Sequence, residues 1–211
     1  MVKPKAALID YGMGNLGSVA KALQTVGLDV KITSDKGDLE RAEAIVLPGV
    51  GAFGDAIKRL KELKLDLAIK REVLDKKKPF LGICLGLQLL FEESYEFGKH
   101  KGLEIFEGEV LHFGDNVSKV PHMGWNEIHP LRDHPILEGL KDGDFFYFVH
   151  SYYVKPKRRD IILTETDYEG FYFTSGVAYE NIVAFQFHPE KSQKKGLKLL
   201  ENFKRLVENS I

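Results

Sequence analysis

Short apolar runs alternate with stretches of helical period through the first half of the chain, and this alternation limits the fold more than any other feature. Residues 6–9 (AALI) form an apolar run that stops at a glycine-rich turn. Leu16, Val19, Ala20, Leu23 and Val26 then follow helical spacing, and Gly27 ends that helix. Val30 and Ile32 mark a second strand, and residues 44–47 (AIVL) a third, stopped by Pro48. From Asp55 to about Lys76 the pattern predicts one charged helix with Ile57, Leu60, Leu63 and Leu67 inward. Residues 79–83 read as another strand, followed at once by a helix from Leu85 to about Glu93. Repeated strand–helix units of this kind build a mostly parallel central sheet flanked by helices, an α/β fold.

Beyond about Gly102 the pattern changes to short alternating strands at 109–113, 145–149, 161–166, 177–179 and 182–187. Turn residues at 114–116 and 142–144 separate them, so an antiparallel or mixed excursion is expected in the second half. A final helix begins near Lys194, with Leu197, Leu200, Phe203, Leu206 and Val207 on one face. No repeat, linker or low-complexity tract interrupts the chain, so residues 1–211 read as a single domain.

Composition narrows the function. Thirty Lys and Arg residues balance 31 Asp and Glu, for a formal charge of −1. Such a balance excludes a nucleic-acid binder that relies on excess positive charge to neutralise phosphates. No apolar run approaches the length of a signal peptide or a membrane span, and a cytoplasmic protein is expected. The seven histidines are scattered and only one cysteine is present, so neither a metal ligand set nor an internal disulfide is expected.

Two glycine-framed motifs compete for the chemistry. Residues 12–17 (GMGNLG) match the G-x-G-x-x-G pattern that cradles a dinucleotide pyrophosphate, and Asp35 sits near the position expected for a ribose contact. The same glycines also suit a plain strand-to-helix turn, and no hydride-acceptor site accompanies them. Residues 82–86 (GICLG) put Cys84 between a strand and a helix with a glycine two positions to either side. This is nucleophile-elbow spacing with sulfur as the nucleophile. The helix starting at Leu85 aims its amides at the sulfur, which favours thiolate, and those amides can also hold an oxyanion. A buried structural cysteine is the alternative, but it needs no glycines at those positions.

A thiolate nucleophile needs a base and an orienting group. The apolar run 183–187 leads directly into His188, Pro189 and Glu190. Glu190 can reach back to one imidazole nitrogen while the other faces the elbow. The remaining six histidines read as structural. Gly49, Val50 and Gly51 follow a strand and precede a helix, where a turn could offer a second amide, that of Val50, beside the amide of Leu85.

The segments LPGVGAFGDA (47–56), GICLGLQLLFE (82–92) and FQFHPEKS (185–192), in this order, resemble the class I, triad-type glutamine amidotransferases. The resemblance implies an amidotransferase-like fold with Cys84 as nucleophile, His188 as acid/base and Glu190 as orienting carboxylate. It implies an oxyanion element at Gly49 to Gly51 with Leu85, a glutamine contact at Gln88, and no cofactor. A finer likeness is to the glutaminase subunits of imidazole glycerol phosphate synthases, carried by DYGMGNLGSV (10–19), PHMGWNE (121–127) and FYFVHSYY (146–153). It implies glutamine binding by Glu96, Ser151 and Tyr152. It also implies a heterodimer with a cyclase subunit, contacted through Gly12, Gly14, Asn15, Met123, Trp125 and Asn126. On this likeness the apparent nucleotide loop faces a protein. A glutaminase subunit of another synthase, such as anthranilate synthase, a free-standing cysteine γ-glutamyl hydrolase and a dinucleotide-binding module remain as alternatives.

Overall fold

The structure is a computed structural model that describes residues 2–210. In chain order its elements are β1 (Lys5–Ile9), α1 (Leu16–Thr25), β2 (Asp29–Thr33), α2 (Lys36–Arg41), β3 (Ala44–Leu47), α3 (Phe53–Glu62) and α4 (Leu65–Lys70). A π-helical turn (Arg71–Asp75) then leads to β4 (Phe80–Ile83), α5 (Leu85–Gln88), β5 (Phe91–Ser94), β6 (His100–Lys101) and β7 (Phe106–His112). The second half holds β8 (His122–Pro130), β9 (Asp144–His150), β10 (Tyr152–Pro156), β11 (Ile162–Tyr168), β12 (Phe171–Tyr179), β13 (Ile182–Phe185) and α6 (Gln193–Glu208).

One sheet runs β2-β1-β3-β4-β13-β12-β10-β7-β5-β6, with β11, β8 and β9 branching from β12. The segment β2-β1-β3-β4-β13 is parallel throughout. β1, β3, β4 and β13 are short apolar runs because both faces are covered, whereas β2 (DVKIT), at the sheet edge, is mostly exposed. Leu8, Val46, Ile83 and Phe185 join α1 and α6 in one core; Ile9, Ile45, Leu47 and Ala184 join α3 and α4 in the other. Each large apolar side chain so buried stabilises the fold by about 1.5–3 kcal/mol. From β12 outward the pairing becomes largely antiparallel, as the change of pattern after Gly102 predicts. The result is the expected α/β architecture: a large, partly parallel sheet with helices on both faces and antiparallel strands added.

Several elements depart from the expectation. The helix expected from Asp55 to Lys76 is broken after Glu62, where Lys64 takes a left-handed conformation (φ 57°). Ile57 and Leu60 of α3 face the core, and α4 restarts with Leu65, Ala68 and Ile69 buried. Leu67, expected inward, is 68 % exposed. The helix expected to reach Glu93 stops at Gln88, and the chain turns into β5, which pairs in parallel with β7. Residues 114–116 form a 3-10 turn, and α2, β6, β8 and β10 have no counterpart in the sequence reading.

The parallel order places the C-terminal ends of β1, β3, β4 and β13 along one edge of the sheet. The segments directly beyond those ends begin at Asp10, Pro48, Cys84 and Gln186. This is the edge at which open parallel sheets hold their ligands.

Candidate active site

Cys84 occupies a sharp corner between β4 and α5, with φ 53° and ψ −110°. A non-glycine residue held there stores about 1–3 kcal/mol of backbone strain. The framing glycines are required by contact. A Cβ on Gly86 would lie 1.9 Å from the Leu47 carbonyl oxygen, and one on Gly82 would lie 2.9 Å from the Ala184 side chain. The corner is therefore sealed between β3 and β13, and the sulfur is presented at the sheet edge.

His188 follows β13 by three residues and opens a 3-10 turn, with its backbone N–H donating to Tyr147. Its Nδ1 lies 2.7 Å from Glu190 Oε1, and the two side chains are 3 % and 2 % exposed. Carboxylate oxygen accepts, so Nδ1 carries the proton and Nε2 is the nitrogen left to act. Nε2 is buried with no hydrogen-bond partner, as is Glu190 Oε2. Burial opposes a charged imidazole here. The neighbouring Cys84 sulfur and then Glu190 outweigh it, so the His188 pKa stands well above its ordinary value.

The loop after β3 lies across from the elbow. Tyr11 donates from its hydroxyl to the Pro48 carbonyl at 2.7 Å, and burial, with Cys84 next in importance, keeps that phenol protonated. The following carbonyl, of Gly49, accepts from the Leu85 N–H at 3.3 Å. Thus the loop offers Leu85 an oxygen rather than a second N–H. Val50 is exposed and Gly51 has a positive φ of 105°. Gly14, from the loop after β1, abuts Gly49: a Cβ there would sit 3.5 Å from the Gly49 Cα.

A cavity of about 460 Å³ opens over the sulfur, lined by Val50, Gly51, Cys84, Leu85, Gln88, Glu96, His150, Ser151 and Tyr152 among others. Eight of the residues expected at the nucleophile, the oxyanion element and the glutamine contacts thus share one wall-to-wall space. Glu96 also serves α3: its Oε2 accepts from the Phe53 N–H at 2.8 Å, where the helix has no capping side chain of its own. Gln88 donates to the Tyr152 carbonyl at 3.1 Å.

The residues expected at a partner surface divide. Met123 and Trp125 are 61 % and 46 % exposed on β8. Gly12 and Asn15 are exposed in the loop before α1, where the Asn15 side chain caps the helix by accepting from Ser18 N–H. Asn126 turns inward instead and donates to the Asp167 carbonyl. Asp35 is the N-cap of α2, accepting from Gly37 N–H, which explains its place without a ribose.

Of the histidines read as merely structural, His150 lines the cavity and His122 stands behind it. His122 Nδ1 and His150 Nε2 lie 3.0 Å apart, and His150 Nδ1 lies 2.7 Å from the Tyr152 carbonyl. That carbonyl can only accept, so both imidazoles carry their proton on Nδ1 and Asn126 donates to His122 Nε2. Alternation of buried positions in β9 was the available signal for His150, and it points only to burial. Among the described residues no cluster of side chains fits a metal ion, and no helix is long and apolar enough to cross a membrane.

Comparison with known proteins agrees with this arrangement. The protein named "Imidazole glycerol phosphate synthase subunit HisH" of Aquifex aeolicus is 59 % identical over 205 residues, covering 97 % of this chain and 98 % of the relative. The protein of the same name from Caldanaerobacter subterraneus subsp. tengcongensis is 50 % identical, covering 95 % and 97 %. The crystal structure of a glutamine amidotransferase from Thermotoga maritima superposes with a TM-score of 0.71 at 20 % identity, covering 99 % of this chain and 100 % of that one, so the fold is the one that amidotransferase adopts. The pattern of the family described as "Glutamine amidotransferase class-I" matches residues 7–206, from β1 into α6, and so takes in the elbow, the loop after β3 and the His188 turn together. The chain belongs to the class-I glutamine amidotransferase family.

Proposed function

We propose that this chain is the glutaminase subunit of an imidazole glycerol phosphate synthase, a single amidotransferase domain over residues 1–211 that works in the cytoplasm. The buried Cys84–His188–Glu190 array beneath a cavity is the observation that carries this reading. Relatives of that name at 50–59 % identity support the choice of synthase.

In this mechanism Cys84 passes its thiol proton to His188 Nε2, and the sulfur attacks the side-chain carboxamide carbon of glutamine. The carbon–oxygen π pair moves to oxygen, and the Leu85 and Val50 amides, in the element Gly49 to Gly51, hold the oxyanion. As the intermediate collapses, the carbon–nitrogen bond breaks and His188 Nε2 gives its proton to the leaving nitrogen, releasing ammonia. A glutamyl thioester remains on Cys84. Water then attacks it, His188 takes the proton, and the carbon–sulfur bond breaks to free glutamate. Glu190 keeps His188 in the tautomer that both steps need. Gln88, Glu96, Ser151 and Tyr152 hold the amino-acid end of the substrate.

The ammonia goes to a cyclase held as a heterodimer through the surface of Gly12, Gly14, Asn15, Met123 and Trp125, with Asn126 bracing β8 from within. There it reacts with N′-[(5′-phosphoribulosyl)formimino]-AICAR-ribonucleotide to give imidazole glycerol phosphate and AICAR, in histidine biosynthesis. The Gly49 carbonyl on the Leu85 N–H favours a chain that is weakly active alone. The Gly49–Val50 peptide must turn over before Val50 can donate, and the abutting Gly14 loop gives a bound partner a way to reach it.

The test is glutamate release with and without the cyclase and its ligand. Release must rise on complex formation and vanish in Cys84→Ala. Full glutamate release by the isolated chain would remove the partner-activated reading, and release by Cys84→Ala would remove the glutaminase reading altogether.

A further inference from the structure

Gln186 is wholly buried, yet it takes no part in the chemistry described so far. Its Nε2 lies 3.6 Å from the Cys84 sulfur, within range for a sulfur acceptor. Its Oε1 lies 3.1 Å from Gln88 Nε2, which in turn lies 3.1 Å from the Tyr152 carbonyl oxygen.

The orientation of both amides follows from one atom. A backbone carbonyl oxygen only accepts, so Gln88 must aim its NH₂ at Tyr152. The same NH₂ faces Gln186, which must therefore present its oxygen to Gln88 and its own NH₂ to the sulfur. Reversing Gln186 would set two donors against each other and turn an oxygen toward the nucleophile. The Val149 carbonyl oxygen, 3.9 Å from the sulfur, accepts from a thiol but repels an anion. Beside the His188 imidazole, whose charged form the sulfur favours, Gln186 is thus a neutral side-chain donor aimed at negative charge on the sulfur.

We propose that Gln186 is a further catalytic residue, whose amide N–H, aimed by Gln88 and the Tyr152 carbonyl, stabilises the Cys84 sulfur as an anion before attack and as the leaving group of the thioester. The inference rests on the reading of Cys84 as the nucleophile. It also ties the glutamine-binding turn at Tyr152 to the sulfur through two side chains, so that a displaced turn would disarm the nucleophile.

Because the chain has a single cysteine, alkylation by iodoacetamide reports on Cys84 alone. Full-length Gln186→Met keeps the volume and deletes the donor. At pH 7 it should alkylate about tenfold more slowly than the parent, the weight of one hydrogen bond to a charged group. The deficit should close at pH 10, where the parent no longer needs the donor to ionise. Equal rates at pH 7 would overturn the proposal. A deficit that persists at pH 10 would also overturn it, since that marks lost access to the sulfur. If Gln186→Met does not fold, Gln88→Met serves: it frees the Gln186 amide to rotate, and a smaller slowing at pH 7 is expected, with no slowing counting against the proposal. These rates are read on sulfur chemistry without glutamine. Glutamate release by Cys84→Ala would thus count against the glutaminase reading, whereas the alkylation result bears on Gln186.

Discussion

The backbone N–H of Leu85 donates to the carbonyl oxygen of Gly49. One of the two amides proposed to hold the oxyanion is therefore satisfied by the very loop that should supply the other. Rotating one peptide, Gly49–Val50, would exchange an acceptor for a donor at that point.

Val50→Pro deletes the N–H that this rotation would deliver. In the complex with the cyclase, kcat for glutamine hydrolysis should fall about 10²–10³-fold, the usual weight of one oxyanion donor. Steady-state kinetics of the complex checks it. An isolated chain that loses far less than the complex would agree with a loop that is inactive until the partner binds.

Glu190→Gln keeps the shape of the orienting group and removes its charge. Burial already disfavours charged His188, and Cys84 together with Glu190 offsets that penalty. The variant should therefore hold the His188 proton less tightly, moving the alkaline limb of the pH–rate profile to lower pH. Because the tautomer is no longer enforced, kcat should fall by up to about 10⁴-fold. A profile with an unmoved alkaline limb would contradict the role given to Glu190.

Glu96 has two duties that substitution separates. Glu96→Gln still accepts from the Phe53 N–H but carries no charge for the glutamine ammonium group, so KM should rise with kcat nearly kept. Glu96→Ala also uncaps α3, directly after the oxyanion loop, and should lower kcat as well as raise KM. Thermal unfolding should register a loss of about 1 kcal/mol for the alanine variant alone.

Acid should destabilise the fold through the His122–His150 pair. Burial pushes the pKa of His122 down to about 4, and burial with the nearby His122 and His188 pushes that of His150 down to about 3. Above pH 6.5 these histidines are neutral in both folded and unfolded chains, so they add no pH dependence. Between about pH 6.5 and 4 the unfolded chain takes up protons that the folded chain refuses, and stability drops as pH falls. Urea midpoints at pH 7 and pH 5 measure the drop, and replacing His122 by Asn should reduce it.

Much of this could be read from the residues before any coordinates. The elbow was legible because Gly82 and Gly86 meet neighbouring backbone or side chain directly, and such contacts leave a mark in composition. The inner parallel strands β1, β3, β4 and β13 were legible because burial on both faces makes them nearly unbroken apolar runs. The helix break at Lys64 was hidden, since lysine gives no sign of a left-handed conformation. β5 was hidden because Leu89, Leu90 and Phe91 prolong the apolar pattern of α5 past its end. β8 was hidden because it exposes Met123 and Trp125 as apolar residues on its open face, so no polar alternation marks it. Gln186 and His150 act through contacts with residues distant in sequence, which spacing alone does not reveal.

The strand order has a consequence for when the chain becomes dangerous as well as useful. β13 enters beside β4 from the far end of the sequence, and Gln186 and Cys84 are separated by 102 positions. A ribosome-bound or truncated product that has completed β4 carries the sulfur but neither its base nor its amide donor. Release of free ammonia therefore waits on insertion of the last strand, and the topology itself acts as a quality check on newly made enzyme.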